Sequence, residues 1–297
     1  MLAGYSEPAS LEGAITFEIA ERSWAGQDGE VLPNQQQHDD PDATKIKRLR
    51  LLTPSFNVAG HYCAIGAISL TAIALGAWLA RQVSRDQLWV VPAYLLVANV
   101  VEYLVHRFLM HRPLWPRSLY RGHTLGHHRA FHHDSMAIQS WREIELVVMP
   151  WFTIALFFAA LTPVMAIVYR TMGPGAVGLL LLTSILSFVI YEGLHTLYHL
   201  PPPVLDRAGV SRNRLFQFLL HQHRHHHRLV RMRWANFNIS LPVSDRLLGT
   251  WETEATWLAE RDRRRAGRRS EQAAASADEQ AAHGSRVTAD LTKPKAS

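Results

Sequence analysis

The sequence predicts an all-α protein: a membrane-embedded bundle of about four transmembrane helices, with shorter helices gathered on one membrane face. Three observations predict it. Four apolar stretches each approach the roughly 20 residues that carry a helix across a bilayer. Arginines and lysines concentrate beside alternate ends of those stretches, which is how cytoplasmic loops are marked. Fourteen of the 17 histidines lie between His106 and His227, in runs at the ends of the apolar segments.

The average composition conceals this pattern. Of 297 residues 48% are hydrophobic, and the mean hydropathy of -0.05 is that of an ordinary soluble chain. Polar ends dilute a very apolar middle. The formal charge of +6 sits beside apolar segments and in the C-terminal tail, which suits anionic lipid headgroups and argues against nucleic acid as a partner. The one cysteine, Cys63, excludes an intramolecular disulfide and any cysteine-based metal site. Its place in an apolar helix predicts a small buried hydrophobe. No basic segment followed by an apolar run opens the chain, so no cleavable signal peptide is expected.

Three regions are expected. Residues 1–58 form a polar N-terminal cytosolic segment, in which Leu11–Trp24 has the pattern of a short amphipathic helix and residues 35–41 read as loop. It ends in a basic run holding Lys45, Lys47, Arg48 and Arg50. Residues 59–257 form the membrane-embedded domain, with spans at about 61–80, 88–105, 144–169 and 176–200. Pro150 and Pro163 predict a kink or break in the third span. Residues 201–214 form a connector, residues 215–230 an amphipathic helix, and residues 234–251 a turn-rich irregular stretch. Residues 258–297 form a basic tail, expected to be a short helix followed by disorder.

Charge sets the orientation. Arg107, Arg112, Arg117, Arg121, Arg129 and Arg142 lie between the second and third spans. Only Arg81 and Arg85, or Arg170, occupy the two opposite loops. Both termini are therefore expected in the cytoplasm. The second and fourth spans then emerge on that side, so all four histidine runs meet on one cytosolic face.

Neutral imidazole is the commonest protein metal ligand near neutral pH. Residues three or four apart share a helix face. The sets His123, His127, His128; His195, His199; and His223, His226, His227 are each expected to aim at one point. His106 and His111, five apart, fit a helix less well and should straddle its end before Pro113. About ten converging histidines exceed what one ion uses and suit two. The runs offer alternative registers through His132, His133, His221 and His225, and spacing alone leaves these open. Nitrogen ligands suit zinc, copper, iron or nickel alike; oxygen activation at the mouth of a bundle needs redox-active ions, with iron the natural candidate, although zinc could occupy such nitrogens on isolation. Glu102, four before His106, and Glu192, three before His195, are expected to accept the second N–H of a ligand ring. No other side chain stands out as an acid or nucleophile.

The boxes HRFLMH, HTLGHH, HTLYH and HRHHH, with the ending NFNISLPVSDRLLGT, resemble the fatty acid hydroxylase superfamily, also called the sterol desaturase family. The resemblance covers roughly residues 91–250. It implies a helical membrane bundle whose cytosolic cap holds a histidine-ligated dinuclear metal centre. Carried over box by box, it implies His106, His111, His123, His127, His128, His195, His199, His223, His226 and His227 as ligands of two iron ions. Aligning Asn236, Phe237 and Asn238 with the family's closing stretch selects the register that begins at His223. The second box departs from the pattern, with three residues between its first two histidines where many members have two. The implied activity is oxygen-dependent hydroxylation of a fatty acyl, sterol or related lipid, with desaturation on the same site as the alternative. Residues 1–58 carry no heme-binding His-Pro-Gly-Gly segment, so electrons are expected from a separate ferredoxin- or cytochrome b5-like protein. A zinc hydrolase would be expected to carry an HExxH-type glutamate base, which is absent. A metal-binding or transport protein would place ligands along its spans. No feature of the sequence assigns an oligomeric state.

Overall fold

The computed structural model describes residues 41–291, and they are helical with no strand among them. The expected helix at 11–24 and the loop at 35–40 lie outside the described residues. Helix α1 (Pro41–Leu49) precedes the membrane segments. Helices α2 (Val58–Ala80) and α3 (Val90–Leu104) follow. α3 runs on into a π-helical segment, Val105–Met110. Next come α4 (Arg117–Tyr120), a second π segment at Arg121–His127, and α5 (His128–Ala130). Then α6 (Phe152–Met172) and α7 (Pro174–Tyr198) complete the long apolar helices. α8 (Pro202–Arg207), α9 (Arg214–His226), α10 (Val243–Leu247) and α11 (Glu254–Leu291) complete the described residues.

Four helices are long and apolar enough to cross a membrane: Val58–Ala80, Arg85–Met110, Phe152–Met172 and Pro174–Tyr198. Their ends have local causes. Asn57 caps α2 by accepting the Gly60 amide. Gly173, at φ +85°, turns the chain between α6 and α7, and Pro174 starts α7 at a position where its missing N–H costs nothing. Gly175 and Gly178 allow the α2–α7 approach: a Cβ at Gly178 would lie 2.4 Å from the Ala80 amide nitrogen. α7 is the central helix, with 39% of its most apolar stretch buried against 11% in each of the others.

Three features differ from expectation. The third span begins at Phe152, because Ile144 to Leu146 form part of a separate 3-10 turn, Trp141–Leu146. Pro150 stands ahead of that helix, its carbonyl accepting the Thr153 amide, while Pro163 lies inside it without ending it. Cys63 is exposed, not buried; the buried residues of α2 are His61, Ser69, Ala72 and Gly76. The tail helix α11 continues to Leu291. Its alanine-, arginine- and glutamate-rich sequence contains no proline before that point, and those residues have high helix propensity.

Candidate metal centre

The ends of α3 and α7, the π segments and α9 bring ten buried histidines together in two groups. His106, His111, His123, His128 and His226 form group A; His127, His195, His199, His223 and His227 form group B. Within each, one nitrogen per ring lies within 4.8 Å of all the others. His132, His133, His221 and His225 belong to neither group.

Backbone hydrogen bonding explains the partition. A π segment closes i→i+5 hydrogen bonds, so residues five apart return to one face. Two such segments bring His106 to His111, and His123 to His128, both pairs in group A. Group B uses ordinary i, i+4 pairs, His195 with His199 at the end of α7 and His223 with His227 at the end of α9. The runs therefore do not each aim at one point. Adjacent residues diverge instead, with His128 and His226 in group A and His127 and His227 in group B. The two groups are neighbours: the His128 and His227 rings stack at 4.4 Å between centroids.

The ring tautomers follow from the carbonyls around them. In group B, Nδ1 of His127 donates to Leu146 O at 2.8 Å, that of His199 to Met136 O at 2.8 Å, and that of His227 to Phe131 O at 2.7 Å. In group A, His226 donates to Ala235 O at 2.8 Å and His106 to Phe237 O. With the proton on Nδ1, Nε2 carries a bare lone pair. Yet Nε2 of His127 lies 3.1 Å from Nε2 of His227. In group A the Thr124 hydroxyl donates to Met110 O and so faces His111 Nδ1, at 3.3 Å, as an acceptor, and His111 Nε2 lies 3.0 Å from His226 Nε2. Two bare lone pairs cannot hydrogen-bond to each other. A separation of about 3 Å is that of two nitrogens at roughly right angles, each about 2.0–2.1 Å from one ion. The donor set thus fits a divalent cation in each group.

Charge on the rings is no alternative. Burial first, and then the proximity of other imidazoles, holds His111, His123, His127, His128, His199, His223, His226 and His227 well below the ordinary histidine pKa. They are neutral, as ligation requires.

Each group has an aromatic wall and a supporting loop. Phe237, fully buried, packs on His106, His111 and His226 at 5.8–6.0 Å. Phe131, also fully buried, packs on His127 at 5.3 Å and His199 at 4.7 Å. The Phe237 loop hangs on Asp245, which accepts the Phe237 amide at 2.9 Å, the Asn238 amide at 2.7 Å and the Thr250 hydroxyl at 2.7 Å. Asn236 adopts φ +58° there, a left-handed turn that asparagine tolerates.

Neither Glu102 nor Glu192 hydrogen-bonds a grouped ring: the Phe237 carbonyl receives the His106 proton, and His195 Nδ1 has no hydrogen-bond partner. Glu102 accepts the Ser240 amide at 2.9 Å, and also the Ile239 amide, tying the Phe237 loop to α3. Glu192 accepts the Met149 amide at 3.3 Å. Both therefore act on loops one step removed from the rings. Of the remaining histidines, His225 pairs with Glu252 at 2.8 Å, His133 with Asp134 at 2.8 Å, and exposed His221 bonds Gln217 O. His61 is buried beside Phe56 and Tyr62, with neither ring nitrogen hydrogen-bonded.

Sequence reasoning missed Phe131, Phe237, Asp245, Arg48 and Glu143. Phe237 and Asp245 lie in the quoted closing stretch and Arg48 in the basic run, but none of these patterns indicated the role. In comparison with known proteins, a family model described as "Fatty acid hydroxylase" matches residues 91–250, more than half the chain. No curated protein and no solved structure matches at a significant level.

Proposed function

The chain belongs to the fatty acid hydroxylase family, and from that membership we propose an oxygen-dependent di-iron enzyme that hydroxylates a C–H bond of a fatty acyl, sterol or related lipid. The family implies an oxidoreductase, and the four apolar helices with that family imply an integral membrane protein. The observation that carries the finer reading is the facing of unprotonated nitrogens, above all His127 Nε2 on His227 Nε2 at 3.1 Å. His106, His111, His123, His128 and His226 would hold one iron; His127, His195, His199, His223 and His227 the other.

Bound and reduced, such metals supply the activation of O2 and the oxidation of an unactivated carbon, while the protein supplies binding, orientation and exclusion of water. The carbonyls of Phe131, Met136, Leu146, Ala235 and Phe237 fix each ring's tautomer and direction. Phe131 and Phe237 keep bulk water from the rings. No other side chain is needed as a nucleophile. The lipid would enter from the bilayer between the spans, and electrons would come from a separate ferredoxin- or cytochrome b5-like donor. Both termini and the metal centre would face the cytoplasm, where the arginine-rich loops offer a cationic docking surface.

Comparing lipids by mass spectrometry, from cells with and without the protein, tests the activity. A lipid gaining one oxygen supports hydroxylation, and one losing two hydrogens supports desaturation on the same centre. If expression of the metal-loaded protein alters no lipid, the enzymatic reading fails.

A further inference from the structure

Arg48 lies in the basic run ahead of the first span, where arginine is expected to face lipid headgroups. Instead it is 1% exposed. Its guanidinium spends its donors on one short stretch of chain. Nε donates to Ala130 O at 2.9 Å, Nη1 to Ala137 O at 2.8 Å, and Nη2 to Ser135 O. Nη1 also meets Glu143 Oε2 at 2.9 Å, and Glu143 is buried too. The same carboxylate oxygen accepts the Gln139 amide at 3.0 Å. The guanidinium lies 4.5 Å from the centre of the Phe131 ring.

Two carbonyls within that stretch have already been met. Phe131 O takes the His227 proton, and Met136 O takes the His199 proton. The Ile138 amide donates to His199 O at 2.8 Å, closing the stretch onto the end of α7. All these contacts serve group B. The two carbonyls that orient group A rings, those of Phe237 and Ala235, come from the loop that Asp245 and Glu102 hold.

We propose that Arg48 is a positioning residue for group B, fixing through the 130–143 segment the direction in which His199 and His227 present Nε2. This inference rests on the reading that both groups bind metal. Only a planar fork with five donors can hold three carbonyls and a carboxylate at once; a lysine ammonium offers three donors from a single point. Burying this charge costs several kcal/mol before its partners offset it. Stability alone would be served as well by apolar residues in place of the whole Arg48–Glu143 pair, so the fork points to alignment of what it holds.

The test is metal binding by the full-length protein in lipid nanodiscs. Wild type, Arg48→Met, Arg48→Lys and Glu143→Gln are titrated anaerobically with cobalt(II), counting metal per chain and recording the ligand-field spectrum of each site. Wild type should take up two ions. Arg48→Met should keep one tight ion, with the spectrum left when His227→Ala removes group B, and bind the second 10–100-fold more weakly. Arg48→Lys and Glu143→Gln should weaken the same ion to a lesser degree. Should Arg48→Met fail to fold, Arg48→Lys decides the matter by the same selective weakening. Two tight ions with unchanged spectra in Arg48→Lys and Arg48→Met would overturn the inference, as would equal weakening of both ions in a folded variant. If wild type itself bound no cobalt, the metal reading would fall and take this inference with it.

Discussion

Groups A and B hold five histidines each but are built by different means, and the difference shows what a histidine run can and cannot encode. Group B takes i, i+4 pairs from the ends of two regular helices, α7 and α9, and its support comes from a segment before the third span. Group A takes i, i+5 pairs from two π segments, and its support comes from the loop after α9. His127 and His128 are neighbours in sequence and serve different groups, as do His226 and His227. Regular helix ends supply four of the five rings of one cluster. Seating a second against it takes the wider π turn, which is frequent at functional sites because it re-aims side chains at the expense of regular hydrogen bonding.

Removing ligands should break the two groups separately, and with the largest effect. His226→Ala and His227→Ala change adjacent residues but should each abolish lipid oxidation while sparing the other group's metal. Product formation measured in cells checks the first half of that statement. Oxidation persisting near the wild-type level in either variant would show that one group is dispensable.

Disturbing the supports should give smaller, one-sided losses. Glu102→Gln and Asp245→Asn loosen the Phe237 loop and should weaken the group A metal 10–100-fold, leaving group B within about threefold. Isothermal titration with metal would read the split. Equal effects on both groups would mean that the loop acts on the fold as a whole.

Acid should act on both groups together. Eight of the rings outside the spans have folded-state pKa values held down by burial and by each other. The unfolded chain takes up protons near pH 6.5 while the folded metal-free protein does not. Stability of the metal-free form should therefore be level above about pH 7 and fall as the pH drops through 6, by about 1.4 kcal/mol per unit for each ring that stays neutral. Thermal unfolding of chelated protein in detergent between pH 8 and 5 would show the midpoint falling; a midpoint rising over that range would contradict the assignment of neutral rings.

Packing changes remote from the rings should not tell the groups apart. Gly178→Val places a side chain where a Cβ would already be 2.4 Å from the Ala80 nitrogen. It should cost about 1–3 kcal/mol and lower both metal occupancies in parallel. Cys63→Ala on the exposed face of α2 should alter the unfolding midpoint least, within about 0.5 kcal/mol.

Much of this was legible in the sequence. Apolar runs of span length located the long helices because backbone hydrogen bonds leave few ways to cross a bilayer. The ten grouped histidines are those picked by the four boxes and the closing stretch. What stayed hidden depends on backbone geometry that composition does not record. The five-residue spacings of His106 to His111 and of His123 to His128 were the available sign of π turns, but the first was read as a helix end. Reading i, i+4 throughout put His123 and His127 in one set, and the structure separates them. Glu102 lies four residues from His106 on a shared face, yet backbone amides of the 239–240 turn reach its carboxylate. Arg48 looked like one more headgroup-facing cation, because a basic run does not reveal which member is buried.

The ten histidines are expected to form two metal sites and not one. Iron per chain, counted in anaerobically prepared protein, tests it most directly. Wild type should hold two, and His226→Ala and His227→Ala one each, with different Mössbauer parameters for the iron that remains. A single iron in wild type, or the same residual iron in both variants, would contradict it.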